Sequence, residues 1–197
     1  MTVPLLLVRH AAHGHLGRIL TGRGSDIALS SDGVTQAERL AQALTDWPVA
    51  AIYSSPQHRC RQTAAIIGDR LALAVQTSDA LDEIDFGEWT GREFTDLEQD
   101  ALWHRWNTTR SKTQPPGGER MTKAIERVAA FLDKLGAGDA QTVLCVTHAD
   151  IIRGAIAHYL GLSLDNILRF DVDPASLSTL QFEGGQARLT TLNRVFA

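Results

Sequence analysis

The chain has 197 residues, 44% of them hydrophobic and 21% charged, an ordinary balance for a globular protein long enough to bury a sizeable core. Its formal net charge of -4 excludes a general nucleic-acid binder, because a surface that tracks phosphates needs a basic excess; one small anion site remains open. The two cysteines, Cys60 and Cys145, form no CxxC pair, which excludes a disulfide framework or a thiolate zinc site and points to small buried thiols in a reduced, cytoplasmic setting. No window approaches the apolar length of a membrane span, and Met1-Thr2-Val3-Pro4 lacks the pattern of a signal peptide, so neither a membrane nor secretion is expected.

In chain order, Leu5-Leu6-Leu7-Val8 is an apolar run without polar alternation, which suits a strand covered on both faces, and it ends abruptly in Arg9 and His10. In sheets of that kind the ligand crevice lies beyond the carboxyl ends of the strands, so these two side chains are expected beside a ligand. Residues 11–31 are polar and glycine-rich, a functional loop whose Arg18 and Arg23 are long enough to reach back over the strand tip. Ser30 or Ser31 should cap a helix to about residue 44, with Val34, Ala37, Leu40, Ala41 and Leu44 at helical spacing. A second strand is expected at 50–54. Ser55-Pro56 then reads as an N-cap and a first-turn proline, so a helix should begin at once. Arg59, Gln62 and Thr63 share one face of that helix, Arg59 near the second strand's tip, while Arg61 points away toward solvent.

Residues 74–77 suggest a short strand, and residues 81–87 an acidic segment closed by Gly87. A helix is predicted over 93–107, carrying Leu97, Leu102, Trp103 and Trp106, followed by a polar loop and the turn Pro115-Pro116-Gly117-Gly118. The tryptophans read as packing of a cap rather than a ligand cage. Residues 119–135 form an amphipathic helix with Met121, Ile125, Val128, Ala129, Leu132 and Leu135 on its stripe. Thr142-Val143-Leu144-Cys145-Val146-Thr147 repeats the opening pattern and ends in His148, a helix follows over 150–160, and residues 178–192, broken at Gly184-Gly185, read as a hairpin.

Apolar strands alternating with helices define an α/β protein, a three-layer sandwich with a mostly parallel central sheet. Three strand ends deliver Arg9 with His10, Arg59, and His148 to one crevice, where helix N-termini also gather; such a place binds a phosphate.

Leu7-Val8-Arg9-His10, Ser54-Ser55-Pro56 with Arg59 and Thr63-Ala64, Leu81-Asp82-Glu83 with Gly87, and Val146-Thr147-His148 with Arg153 together resemble the histidine phosphatase superfamily, the phosphoglycerate mutase-like fold. The four motifs stand in the family's order over residues 5–153. The resemblance implies a single domain over 1–197, with 88–118 as a cap. It also implies that His10 is a nucleophile that becomes phosphorylated, that Arg9, Arg59 and His148 hold phosphoryl oxygens, and that Glu83 donates a proton. The acids Asp82 and Asp85 compete with Glu83 on composition, and only the motif register prefers Glu83. Arg18 and Arg23 are further candidates for binding substrate, and Arg92, His104, Arg105, Arg110 and Lys112 for contacts on the substrate's far side. No metal or other cofactor is required. Pro116-Gly117-Gly118-Glu119 is similar to a turn that the family places before its next helix.

The chain departs from the pattern in three places. Ala11 and Ala149 stand where the family has glycine after each histidine, and a methyl group at a tight backbone approach would narrow the pocket. Leu16 falls where the family often has asparagine, so one phosphate contact would have to come from His13, His15 or Arg18. The expected activity is a phosphomonoester hydrolase acting through phosphohistidine on a small phosphorylated metabolite. Its alternatives are a phosphomutase, disfavoured because mutases of this kind carry a longer insertion, and a phosphoester-binding protein with little catalysis. A different class, metal binding by His10, His13 and His15, matches no zinc spacing. Partners are expected to be a small phosphorylated molecule and neither nucleic acid nor membrane, with a homodimer as one assembly open to it.

Overall fold

The computed structural model describes residues 2–24, 26–139 and 141–196. Strand β1 (Val3–Arg9) leads into a long loop and helix α1 (Ser31–Ala43), then β2 (Val49–Ser54), α2 (His58–Leu71) and β3 (Val75–Thr77). Two short helices follow, α3 (Phe94–Leu97) and α4 (Ala101–Thr108), then α5 (Met121–Gly136), β4 (Thr142–Thr147), α6 (Ala149–Leu160), and the strands β5 (Leu177–Glu183) and β6 (Gln186–Arg194). The six strands form one sheet in the order β3-β2-β4-β1-β5-β6. Strands β3, β2, β4 and β1 run parallel, whereas β5 and β6 are antiparallel.

The alternation of side chains along a strand explains the three layers. Leu5 and Leu7 of β1 point into a core shared with Met121, Ile125, Val128 and Leu132 of α5 and Ile151, Ile152 and Ile156 of α6. Leu6 and Val8 point to the other face, against Ala37, Leu40 and Ala41 of α1 and Cys60, Ala64 and Ile67 of α2. All four are buried, as the unbroken apolar run requires. Trp89 and Trp106 are buried in the first of these cores with Trp103 packed against it, so the tryptophans do pack rather than cage a ligand. At the hairpin, Gly184 and Gly185 have φ of 58° and 79°, positive at both central positions as the tight turn demands.

Three details differ from the expectations. The helix after β2 does not start at Pro56: its N-cap is Gln57, which makes no side-chain cap bond, and the Ser55 hydroxyl, which accepts from the Gln57 amide at 3.3 Å, is also engaged with His148 at 2.8 Å. The helix expected over 93–107 is two helices, because Asp100 accepts from the Leu102 amide and starts α4 as a new N-cap. On α1, Val34 is exposed and Gly33 is buried in its place.

Gly33 shows what fixes the loop after β1. The Ser30 hydroxyl caps α1 by accepting from the Gly33 amide at 3.1 Å, and the Ala12 carbonyl accepts from the Ser30 amide at 3.0 Å. A β-carbon on Gly33 would lie 1.9 Å from that carbonyl oxygen. Alanine in place of helical glycine ordinarily gains up to about 1 kcal/mol, whereas forcing backbone apart costs about 1–3 kcal/mol, so the clash decides the sign. Gly33→Ala should therefore lower unfolding stability by about 1–2 kcal/mol in urea titration; an unchanged or raised midpoint would show that the loop is not held this closely.

Candidate active site

The carboxyl ends of β1, β2 and β4 lie side by side, with Arg9 paired to Thr147 and Ser54 to Val146. A pocket of about 360 Å³ opens there, lined by Arg9, His10, His13, Arg59, Glu83 and Asp150 together with Leu16, Ile19, Leu20, Thr21, Gly22, Phe86, Phe94 and Ala149. Two of its lining residues are nearly wholly buried, His10 at 4% exposed and Arg59 at 1%, and His148 beyond them is 0% exposed.

His10 is held by its own backbone. Nδ1 lies 2.9 Å from the Ala11 carbonyl oxygen, which can only accept, so Nδ1 carries the proton and Nε2 the lone pair. Among the described residues Nε2 has no hydrogen-bond partner. The Ala11 amide in turn donates to Thr63 Oγ1 at 3.0 Å, which locks the turn after β1 to α2. Neither Ala11 nor Ala149 has a positive φ, so the methyl groups at these positions impose no backbone strain.

Both arginines are held by neutral acceptors. Arg9 donates from Nη1 to the Val172 carbonyl at 2.7 Å, and the end of β1 is clamped by bonds from the Arg9 amide to Ser176 and from the Ala175 amide to Arg9. Arg59 donates from Nη2 to the Gly22 carbonyl at 2.9 Å and to His148 Nδ1 at 3.0 Å. Arg9 Nε, Arg59 Nε and Arg59 Nη1 are buried with no partner among the described residues. Buried guanidinium protons left this way are costly unless an anion meets them. The same charges keep the imidazoles neutral: burial, then Arg59 and Arg9, hold His10 well below the usual histidine range.

His148 sits behind the wall, its ring centroid 5.3 Å from that of His10. Because Nδ1 accepts from Arg59, its proton is on Nε2, which donates to Ser55 Oγ at 2.8 Å. Burial, followed by the charge of Arg59, keeps it neutral as well. His13 faces the pocket with its centroid 5.2 Å from His10. Its Nδ1 accepts from the His15 amide at 3.3 Å, which places the proton on Nε2, and burial with Arg59 and His15 pushes its pKa down to about 4. Among the described residues no group of three or more His, Cys, Asp or Glu side chains is placed to hold a metal ion, so the histidine trio has no ligand geometry.

Glu83 is presented by a heavily braced segment. Arg127 of α5 donates from Nη1 to the carbonyls of Asp79, Ala80 and Asp82, and Arg23 donates from Nε to the Glu83 carbonyl at 2.6 Å. Glu119 ties the two together, accepting from Arg23 Nη2 at 2.7 Å and from Arg127 Nη2 at 3.3 Å. Of the two glycines before it, Gly117 has a positive φ of 66°, and Gly118 is steric, since a β-carbon there would lie 2.4 Å from the Asp85 carbonyl oxygen. Glu83 Oε2 lies 3.5 Å from His148 Nδ1. Burial first, then the charge of Asp150, pushes its pKa up to about 7.

Of the other sequence candidates, Asp82 accepts from Gln57 and from the Glu83 amide, and Asp85 from the Gly87 amide; neither lines the pocket. Arg18 is exposed and off the wall, and Arg23 is spent on Glu83, Asp82 and Glu119. None of Arg92, His104, Arg105, Arg110 and Lys112 lines the pocket. Arg110 is instead a buried brace, donating to Asp150 Oδ2 at 2.6 Å and to Asn107 while lying over the Trp106 ring. Asp150 is the pocket residue that sequence reasoning missed. An acid in a helix's first turn reads as a dipole partner, and only the tertiary contact with Arg110 marks it. Both cysteines are buried, and burial pushes the Cys145 thiol up to about 12 and the Cys60 thiol higher still.

Fold and site together describe an α/β protein with two histidines and unpartnered guanidinium nitrogens gathered at its strand ends. Residues 5–195 match the histidine phosphatase superfamily (branch 1), and the chain belongs to that superfamily. It is 33% identical over 196 residues to phosphoserine phosphatase 1 of Hydrogenobacter thermophilus, covering 97% of this chain and 92% of that protein. It is 28% identical over 193 residues to the adenosylcobalamin/alpha-ribazole phosphatase of Salmonella typhi, covering 96% and 95% of the two chains. The structure of mycobacterial glucosyl-3-phosphoglycerate phosphatase with VO3 superposes with a TM-score of 0.88 at 27% identity, covering 97% of this chain and 98% of that one. The chain is a phosphoric monoester hydrolase of small metabolites.

Neutral buried histidines couple stability to pH. His10, His13 and His148 have folded pKa values below the unfolded value, so the unfolded chain binds more protons under acid conditions. Their contribution is complete above about pH 6.5 and is lost as pH falls, that of His13 as pH approaches about 4. Urea stability should drop from pH 6.5 to pH 5, and His13→Gln should make that drop shallower; equal slopes for the two proteins would remove the assignment.

Proposed function

We propose that the pocket cleaves phosphate monoesters by in-line transfer of the phosphoryl group to Nε2 of His10, followed by hydrolysis of the phosphohistidine. The observation that carries this reading is the His10 ring, with its proton pinned on Nδ1 by the Ala11 carbonyl and its other nitrogen unpartnered among buried guanidinium protons that have no acceptor. In the first step the Nε2 lone pair forms the N–P bond, the P–O bond to the alcohol breaks, and the proton on Glu83 passes to the leaving oxygen. In the second, Glu83 takes a proton from water as the water oxygen attacks phosphorus, the P–N bond breaks, and inorganic phosphate leaves. The Ala11 carbonyl steadies the imidazolium character that grows on His10, and Arg9 Nε with Arg59 Nε and Nη1 meet the phosphoryl oxygens.

Leu16 has no polar atom to offer a phosphate, and His13 supplies the donor instead, as a neutral Nε2–H group beside His10. For His148 to reach the phosphoryl group, its Nδ1 exchanges the Arg59 proton for a phosphoryl oxygen and the ring proton moves to Nδ1. Ser55 supports that exchange, since a hydroxyl that accepts from Nε2 turns to donate to it. Arg18 and Arg23 have no substrate contact in this scheme; Arg23 acts by holding the Glu83 backbone. We take the chain as one domain in which residues 88–118 form the cap, supported by Phe94 on the pocket wall. The net charge of -4 and the two buried free thiols support a cytoplasmic setting with neither nucleic acid nor membrane as partner. Among the described residues no helix is long and apolar enough to cross a membrane. A homodimer is the assembly carried with this reading.

Rapid quenching with radiolabelled phosphate ester should trap a covalent label that survives alkali and is lost in acid. His10→Ala should carry no label and lose turnover by about a thousandfold or more; substantial hydrolysis by that variant would sink the proposal.

The role of Glu83 fixes a pH dependence. In the phosphorylation step the acid works only while protonated, so kcat/KM for an alkyl phosphate should lose rate as pH rises through about 7. Glu83→Gln should lower kcat/KM for the alkyl phosphate by about a hundredfold or more and flatten that limb, with a much smaller loss of kcat/KM for p-nitrophenyl phosphate, whose leaving group needs little protonation. An equal loss for both substrates would point to disruption of the pocket rather than to a missing acid.

A further inference from the structure

We propose that this pocket selects phosphate monoesters whose alcohol portion carries no second anion, and that Asp150 is the residue that enforces the choice. The inference rests on the phosphatase reading above and adds the class of substrate. Among the described lining residues the cations are Arg9 and Arg59, and both stand beside His10. A phosphoryl dianion uses both. The rest of the wall is largely apolar, with Leu16, Ile19, Leu20, Phe86 and Phe94, and its other polar side chains are His13, Thr21, Glu83 and the Asp150 carboxylate.

Asp150 is kept ionised by its surroundings. Burial acts to raise its pKa, but Arg110 at 2.6 Å and Arg153 at 3.5 Å outweigh burial and hold the carboxyl below the usual range. Neither arginine lines the pocket, Arg110 being paired with Asp150 and Arg153 with Asp150 and Asp171, so an entering ligand meets the carboxylate. The apolar part of the wall is also fixed. The amides of Gly91, Leu20 and Phe94 donate to Leu20, Arg92 and Arg18 at 2.8, 2.9 and 2.9 Å, zipping the loop after β1 to the segment before α3. The Arg92 side chain is engaged with Asp100, and the Arg18 side chain is exposed. A carboxylate on the substrate would therefore lose its water against apolar side chains or a like charge, with no guanidinium to receive it. A hydroxyl or ammonium in the same position donates to Asp150.

The test compares kcat/KM within two pairs that differ by one carboxylate: glycerol 3-phosphate against 3-phosphoglycerate, and phosphoethanolamine against phosphoserine. The carboxylate-free member should be preferred by about tenfold or more in each pair. Asp150→Asn should narrow the preference, and Phe94→Lys, which adds a cation to the wall without touching Arg110, should narrow it independently if Asp150→Asn fails to fold. The same four compounds titrated calorimetrically into His10→Ala read selection without chemistry. If the wild type turns over none of them through His10 yet the variant still binds the carboxylate-free members more tightly, the phosphatase reading falls and the selectivity stands. If turnover depends on His10 but the carboxylate-bearing members are handled equally well or better, the phosphatase reading stands and this inference is overturned. Absence of binding by all four overturns it too.

Discussion

The pocket depends on two guanidinium groups, Arg59 buried and Arg9 half-buried, that are held by neutral partners. Arg9 is bonded to a carbonyl, and Arg59 to a carbonyl and an imidazole nitrogen. A buried charge is expensive, and carbonyl dipoles offset only part of its lost hydration. The three guanidinium nitrogens left without acceptors are the unspent remainder. That remainder is what an arriving phosphoryl group discharges, so an arrangement unfavourable to the empty fold becomes favourable to the occupied one. The same positive charges add to burial in depressing His10, His13 and His148, and so keep a nucleophile's lone pair available at neutral pH.

Such an arrangement survives only if the chain around it cannot relax. Parallel pairing of β1 with β4 and of β4 with β2 brings three strand ends level, and each end is then bonded beyond its strand. The tip of β1 is clamped by residues 172–176, and the turn after it by Thr63. Thr147 Oγ1 at the tip of β4 donates to the Leu81 carbonyl at 2.6 Å, which draws the Glu83 segment over the sheet. The Arg23, Glu119 and Arg127 ion pairs hold that segment from the other side. The chemistry is thus borne by strand tips and its precision by bonds between segments far apart in sequence.

That division decides what the amino-acid pattern reveals. The strands and their terminal residues are legible, because an apolar run ending in Arg9-His10 or in His148 needs no knowledge of its neighbours. The PGGE turn is legible as a turn, but the use of Glu119 to join two arginines is a tertiary fact. Ser55 reads as a helix cap because serine before proline usually is one; here its hydroxyl has a stronger claim on it from His148. The expected helix over 93–107 hid a second cap at Asp100, since its apolar spacing continues across the break. Arg18 and Arg23 have the length to reach the pocket, but length says nothing about the carboxylates that intercept Arg23. Asp150 and Arg110 illustrate the converse: each is ordinary in its own segment, and only their meeting makes a buried pair.

The two pocket carboxyls show how one brace reaches both the chemistry and the selection. Burial raises the pKa of Glu83 and of Asp150 alike, so desolvation cannot separate them. Arg110 and Arg153 do, by standing at Asp150 and leaving Glu83 with no carboxylate-bound cation of its own. Once Asp150 is ionised, its charge becomes the second cause, after burial, of a neutral Glu83 near pH 7. Opposed environments for two neighbouring acids are the means by which one site keeps an acid and an anion together. Arg110 comes from the loop between α4 and α5, so the position of that loop is coupled to the charge on Asp150 and, through it, to the proton on Glu83. A loop displaced far enough to break the Arg110 bond would leave a buried carboxylate half-paired, raise its pKa, and relieve the pressure that keeps Glu83 protonated.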